Sequence, residues 1–328
     1  MHSSSEIVLA CVIAAAVMGA GVWAFGRLRR GRTWAVLATK ALLGVAAAGA
    51  LGWACLLLGV GAAYPRSAQT SKVAPGVVYR REHRTRPRPH PIHVLAVDLD
   101  TKGLYFSFTV PRATDGHAFA AARTSDFLAG LDRGCVAAIN ASFFFPFHSK
   151  APWDYYPHEG DGVDVLGYYG SELQRSGKAW YGARVVFDGG QVTFGGAVPS
   201  SGAMLEGRHW LVRDGQVQSV PKDAPYSRMV LALRGRTFMA VAIDGKVDGA
   251  AEGLTLRELA ALLVELEVDQ AVELDGGGSV TMVLRPPGRP PSVTNLVSHT
   301  RIPFRERPVA THLGICFATS TQQHVQRR

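Results

Sequence analysis

The stretch Gly253-Leu-Thr-Leu-Arg-Glu-Leu-Ala260-Ala-Leu-Leu-Val-Glu-Leu-Glu-Val-Asp-Gln270-Ala-Val-Glu-Leu-Asp-Gly-Gly-Gly-Ser-Val280-Thr-Met-Val-Leu284 holds one helix, one glycine run and two strands. Thr255 and Glu258 stand three apart, the spacing at which each side chain satisfies an orphan backbone donor of a helix start. Leu256, Leu259, Leu263 and Leu266 follow at three- and four-residue steps and give the helix one apolar stripe. The period then changes. Ala271–Leu274 and Val280–Leu284 are short apolar runs on either side of Gly276, Gly277 and Gly278, and read as strands.

Outward from this stretch, strands recur and helices do not. Apolar runs at Arg184–Phe187, Gln191–Phe194, Trp210–Val212, Met229–Leu233, Thr237–Ile243 and Val309–Phe317 are separated by short polar turns. Upstream, Ile92–Leu99 and Leu104–Val110 flank Asp100-Thr-Lys-Gly103 and read as a hairpin; Thr124–Leu131 reads as a short helix before the strand Cys135–Ile139. The fold expected for residues 92–319 is one mixed α+β domain, mainly β-sheet with few helices, followed by a polar tail at 320–328.

The chain has 328 residues and a formal net charge of +9, which by itself suggests an acidic partner. The distribution removes that suggestion. Residues 1–91 contain 12 Lys and Arg against 2 acids, whereas residues 92–328 contain 23 against 24. The folded part has no basic surplus and no readable nucleic-acid motif, so nucleic acid is excluded as its partner. Wholesale disorder is excluded by the 47% hydrophobic content.

The basic arm has its own explanation. Residues 7–25 and 41–63 are apolar runs long enough to cross a bilayer. Between them Arg27-Leu-Arg-Arg-Gly-Arg32 puts four arginines into six residues, and a loop that short and basic stays in the cytoplasm. The expectation is a two-helix membrane anchor over residues 1–63, with both ends and the large domain outside the cytoplasm. A cleaved signal peptide is the lesser alternative. Residues 64–91, rich in Pro and Arg, read as an extended linker. Cys11 and Cys55 fall in the spans. Cys135 and Cys316 lie in apolar strands, where either a disulfide or two buried thiols fit.

The chemistry concentrates at Glu273–Thr281. A strand delivers Asp275 at its end, and three glycines remove side chains that would block a ligand and free backbone N–H groups to face an anion. There is no P-loop lysine, so a nucleotide site is not expected. Glu273 and Asp275 lie two apart on a strand, with Cα atoms about 6.5–7 Å apart on one face. That spacing suits an acid and base in glycosidic cleavage. A glycine-rich turn with one solvated and one buried carboxylate is the plainer reading.

Several ordered elements together resemble the phosphodiester glycosidase family. They are Asn140-Ala-Ser-Phe-Phe144, Arg228-Met-Val-Leu-Ala232, Gly253-Leu-Thr-Leu-Arg-Glu-Leu259 and Leu274-Asp-Gly-Gly-Gly-Ser279, with Asn295 and Arg307 completing the series over much of residues 92–318. Glu273 departs from the family pattern, which is usually neutral there. The resemblance implies hydrolysis of a sugar-phosphodiester linkage, with Asp275 as the key carboxylate and Glu273 beside it. It further implies Gly276, Gly277, Gly278, Ser279 and Thr281 as the pocket lining, Arg228 as a phosphate clamp, Asn140 as a sugar or carboxylate contact and Arg307 as a further anchor. The expected protein is a membrane-anchored, extracytoplasmic glycosidase of envelope or extracellular glycans. The alternative is a non-catalytic glycan-binding or exopolysaccharide-assembly protein using the same pocket.

Residues 143–181 hold eleven of the 29 aromatics, a density that suits sugar rings as well as a packed core. His148, Asp154, His158, Glu159 and Asp161 add groups that bind a divalent cation in other settings, but their spacing repeats no known ligand pattern. No cofactor is assigned, and a divalent cation stays open.

Overall fold

The computed structural model describes residues 33–63, 67–151, 154–170, 174–176, 182–196, 202–299 and 302–318. These fall into two compact units: the helix Thr33–Ala63 together with residues 247–250, and the remaining described residues.

The helix of the first unit carries the second apolar run of the sequence. The first run, 7–25, and the arginine loop after it lie outside the described residues. Among the described residues no helix is long and apolar enough to cross a membrane.

The second unit is built on an eight-stranded antiparallel sheet. Its strands run, in spatial order, Gln69–Ala74, Val77–Arg84, His90–Asp98, Thr237–Ile243, Arg228–Arg234, Gln270–Glu273, Trp210–Arg213 and Gln216–Val217. A five-stranded sheet faces it, ordered Ser292–Val293, Met282–Leu284, Cys135–Asn140, His312–Phe317 and Leu104–Phe108. Side chains alternate across each strand, so a central strand must be apolar on both faces. Arg228–Arg234 shows this: Met229 and Leu231 enter the core between the sheets with Phe238, Ile139 and Leu313, while Val230 and Ala232 pack on the opposite face with Leu259 and Leu263 of the helix Leu256–Glu265. The helix Thr124–Gly130 covers the outer face of the five-stranded sheet through Leu128. The order is helix, sheet, sheet, helix. A further sheet, centred on Ala183–Asp188 and Ala203–Gly207, adds Val185, Phe187 and Leu205 to the central core.

The mixed α+β expectation holds for this unit, and so does the capping box. Thr255 Oγ1 accepts from Glu258 N at 3.2 Å, and Glu258 Oε2 accepts from Thr255 N at 2.9 Å.

Two local expectations are corrected. Residues 64–91 are not an extended linker, because 69–84 form a hairpin that pairs with His90–Asp98. Val77 and Tyr79 are buried while Val78 and Arg80 face outward, and Arg84 pairs with Glu82 and Glu265, so these arginines belong to a paired strand. Arg88 also binds Glu258 through both terminal nitrogens, at 2.5 and 2.9 Å. The second correction concerns residues 92–110. His90–Asp98 pairs in the eight-stranded sheet and Leu104–Phe108 pairs with His312–Phe317 in the other, so the turn between them links two layers and closes no hairpin. The tail 320–328 lies outside the described residues.

Cys135 and Cys316 are register partners on adjacent strands and form a disulfide. The open choice between a bridge and two thiols is decided by that pairing, which cross-links positions 181 residues apart.

Candidate active site

The strand Gln270–Glu273 leads to a one-turn 3-10 helix, Gly277–Ser279, and then to Met282–Leu284 in the facing sheet. The glycine run is therefore the crossing between the two layers. Asn140 fixes it from behind: its Nδ2 donates to Asp275 O at 2.8 Å, and its Oδ1 accepts from Thr281 N at 3.0 Å. Asn140 and Thr281 are fully buried, and the Thr281 hydroxyl donates to Ser279 O at 3.1 Å. Both residues shape the crossing; neither lines the cavity in front of it.

That cavity has a volume of about 300 Å³. Asp275, Gly276, Ser279, Glu273, Arg228 and Arg307 line it on one side, and Phe143, Phe144 and Phe147 on another. Six of the predicted site residues thus converge on the cavity, while Asn140, Gly277, Gly278 and Thr281 lie outside its lining.

The glycines serve the protein's own side chains more than a ligand. A Cβ on Gly277 would stand 2.4 Å from Tyr226 Cε1, and one on Gly278 would stand 2.4 Å from Arg307 Nη2. Gly277 also has φ +66°, a region that L side chains rarely adopt. Two of the amides in the run are engaged within the protein. Gly277 N donates to Ser227 O at 2.9 Å, and Gly276 N supports the Asp275 carboxylate. The run is a close-packed seat for Tyr226 and Arg307.

Glu273 and Arg228 are likewise engaged. Glu273 Oε1 accepts from Arg228 Nη1 at 2.8 Å, and Oε2 lies 2.6 Å from His209 Nδ1. The other Arg228 donors reach Leu254 O at 3.1 Å, Ala224 O at 3.2 Å and the Asp223 carboxylate. An arginine with each guanidinium nitrogen so occupied is a poor phosphate clamp, and both oxygens of the Glu273 carboxylate are already engaged, by Arg228 and His209. Burial explains both outcomes, since a charge removed from water must be paired within the protein.

Asp275 behaves differently. Burial pushes its carboxyl up to about 6, with the Ser279 hydroxyl, Arg307 and Gly276 N opposing that rise. A carboxyl at that level exchanges protons near neutral pH, the range useful for acid–base work. Arg307 donates from Nη1 to Ser279 Oγ at 3.1 Å and from Nε to His299 Nδ1 at 3.3 Å, and its guanidinium carbon lies 4.6 Å from the Phe147 ring centroid. Burial lowers its pKa, opposed by the charge of Asp275. Burial likewise lowers that of Lys246, whose Nζ stands 4.3 Å from the Tyr226 ring centroid and which also feels Asp275 and Arg307.

Lys246, Tyr226 and Phe147 as partners of Arg307 were not singled out by the sequence. Lys246 follows Asp244-Gly245, which reads only as the end of a strand, and no spacing ties Tyr226 to the glycine run. Asn295 lies behind the site, where Oδ1 accepts from Met282 N at 2.7 Å and Nδ2 donates to Val280 O at 3.0 Å. Of the eleven aromatics in 143–181, Phe144 and Tyr169 are buried, Phe145 and Phe147 are exposed, and Trp153, Trp180 and Tyr181 lie outside the described residues. His158 lies 2.7 Å from Asp154 and 3.1 Å from Asp161. Among the described residues no group of three or more His, Cys, Asp or Glu side chains is placed to hold a metal ion.

The second unit is thus a layered α+β fold in which a glycine crossing presents the Asp275 carboxyl group beside Arg307. The sequence profile described as phosphodiester glycosidase matches residues 133–316, and the chain belongs to that family, whose enzyme class is a hydrolase acting on a glycosyl bond. N-acetylglucosamine-1-phosphodiester alpha-N-acetylglucosaminidase of Bos taurus is 34% identical over 100 residues, 25% of this chain and 19% of that protein. The Mus musculus protein of the same name is 34% identical over 98 residues, with the same coverage. The chain thus spans about a fifth of the length of these curated relatives. Its fold is similar to the zebrafish catalytic domain of that enzyme, auto-inhibited by its pro-peptide, with a TM-score of 0.53 and 20% identity over 77% of this chain and 88% of that one. It is also similar to a hypothetical protein from Synechocystis, with a TM-score of 0.50 and 15% identity over 78% of this chain and 65% of the other.

Proposed function

We propose that the protein hydrolyses a sugar-phosphodiester linkage in envelope or extracellular glycans, with ionised Asp275 as the catalytic carboxylate. The observation that carries this reading is the cavity itself, where one carboxyl group raised to about 6 stands among Arg307, Ser279 and aromatic rings. Cleavage of a sugar–phosphate bond develops positive charge on the ring and releases an already anionic phosphate. A carboxylate facing the ring stabilises the first. Arg307 and Lys246 anchor the second, so little protonation of the leaving group is needed. The N-acetylglucosaminyl group acted on by the relatives is the first candidate for the sugar.

The protein is anchored in the cell membrane through apolar runs 7–25 and 41–63, with the catalytic unit outside the cytoplasm. The arginine loop between the runs supports that orientation, as does the Cys135–Cys316 bridge, since disulfides persist in oxidising compartments. Reporter fusions after residue 91 test it: an extracytoplasmic signal is expected, and a cytoplasmic one overturns the placement.

Sugar release from an N-acetylglucosaminyl phosphodiester by the full chain and by Asp275→Asn tests the chemistry. Activity in the wild type and its loss in the variant are expected. The engagement of Glu273 with Arg228 leaves one available carboxylate where two were expected, and this favours a second reading, a non-catalytic glycan-binding protein. Binding of glycosyl phosphodiesters without turnover would establish that alternative.

A further inference from the structure

A second cavity, of about 570 Å³, lies beside the first and takes no part in the chemistry derived above. The two share a wall. His299, buried, lines the second cavity, and its Nδ1 accepts from Nε of Arg307, which lines the first.

The character of the second cavity differs from that of the first. Arg123, Arg305 and His158 line it together with Glu159 and Glu306, so it offers both donors and acceptors. Several are fixed in place: Arg123 Nη2 is 3.2 Å from Glu159 Oε2, and Glu306 Oε1 accepts from Ser125 N at 2.9 Å. A rim that mixes carboxylates with cations, its His158 already paired with Asp154 and Asp161, is not specialised for an anion. It suits a neutral ligand whose groups each donate and accept, as sugar hydroxyls do.

Phe304 is the independent observation. It lines this cavity, 66% of its surface is exposed, and its backbone sits at φ +63°, a genuine outlier for a bulky side chain. Phe304 N donates to Val297 O and His299 N to Arg305 O, both at 2.8 Å, so the strained turn is held by its neighbours. Strain that the surroundings enforce while exposing an aromatic ring at a cavity mouth marks a working position. The ring's negative π face matches the weakly positive C–H face of a pyranose.

We propose that this cavity is a second carbohydrate subsite, with Phe304 as its stacking platform and Arg123, Glu159, Arg305 and Glu306 as its hydroxyl-binding rim. It takes neutral sugar units of a substrate whose phosphodiester occupies the Asp275 cavity, and so makes the substrate an oligosaccharide or polymer. The assignment of the substrate rests on the proposed glycosidase reading; the binding of neutral sugar does not.

The experiment uses the full chain in detergent micelles and separates the two. A panel of neutral pentasaccharides built from glucose, mannose or N-acetylglucosamine is titrated into wild type, Phe304→Ala and Phe304→Tyr. At least one should bind the wild type, lose about tenfold in affinity with Phe304→Ala, and keep its affinity with Phe304→Tyr. Absence of binding across the panel, or equal binding by Phe304→Ala, overturns the subsite. In parallel, kcat/KM is compared for an N-acetylglucosaminyl phosphodiester of a monosaccharide and of the bound pentasaccharide. Phe304→Ala should lower the second about tenfold through KM and leave the first within twofold. If the wild type turns over neither substrate, the glycosidase reading falls, while the titration still decides the subsite.

Discussion

Glu273 and Arg228 are bound to each other, carboxylate to guanidinium at 2.8 Å, with both side chains almost wholly removed from water. The pairing engages both side chains within the protein. The pair stands beside Asp275 at the base of the cavity and holds the end of the strand Gln270–Glu273 against Arg228–Arg234.

Removing one partner should therefore unfold before it inactivates. Arg228→Ala or Glu273→Ala leaves a buried charge uncompensated and should reduce stability by about 3–5 kcal/mol. The joint replacement Arg228→Met with Glu273→Leu should recover much of that loss. Urea titrations of the three variants provide the check; single variants as stable as the wild type would contradict it.

Asp275 couples activity and stability in opposite directions. Its folded pKa, about 6, lies above the ordinary aspartate value of 3.8, so between those values the folded state holds more protons than the unfolded one. The stability it contributes is complete below about pH 4 and is lost as pH rises through about 6. Catalysis by the ionised form should rise over the same range and level off above it. Asp275→Asn should lower kcat by a factor of about 10²–10⁴, while stability at pH 7 rises by about 1–3 kcal/mol. A rate profile falling above pH 6 would instead make Asp275 a proton donor.

Gly278→Ala tests the seat of Arg307. The added carbon would meet Arg307 Nη2 at 2.4 Å, and the guanidinium would have to leave its place against Ser279 and Phe147. A displaced charged hydrogen bond is worth about 1.5–3 kcal/mol, so kcat/KM should fall by about 10- to 100-fold. Inorganic phosphate should inhibit the variant less than the wild type. Unchanged inhibition would remove Arg307 from phosphate binding.

Reduction of the Cys135–Cys316 bridge should cost about 2–4 kcal/mol, because the bridge closes a long loop. The double variant Cys135→Ala, Cys316→Ala should show the same loss and no further response to a reductant. Thermal melts with and without reductant measure both.

What the sequence determined by itself was whatever local pattern governs. Thr255 and Glu258 fix the helix start because capping acts within one turn, and the leucine repeat fixes the buried face of that helix. The glycines and Asp275 mark the crossing because so bare a run has few other uses. Uneven charge placed the basic surplus in the arm, yet it also hid the hairpin at 69–84, whose arginines sit among alternating apolar positions. Tertiary structure decided the pairings. Whether Cys135 meets Cys316, whether Leu104–Phe108 leaves the sheet of its predecessor, and which cation remains beside Asp275 all depend on groups distant in the chain. The glycine spacing was legible, but its reason was not: Tyr226 and Arg307 come to rest on Gly277 and Gly278 only when two sheets close. Burial, which forces Arg228 onto Glu273 and raises Asp275, is a property of that closure and of no single segment.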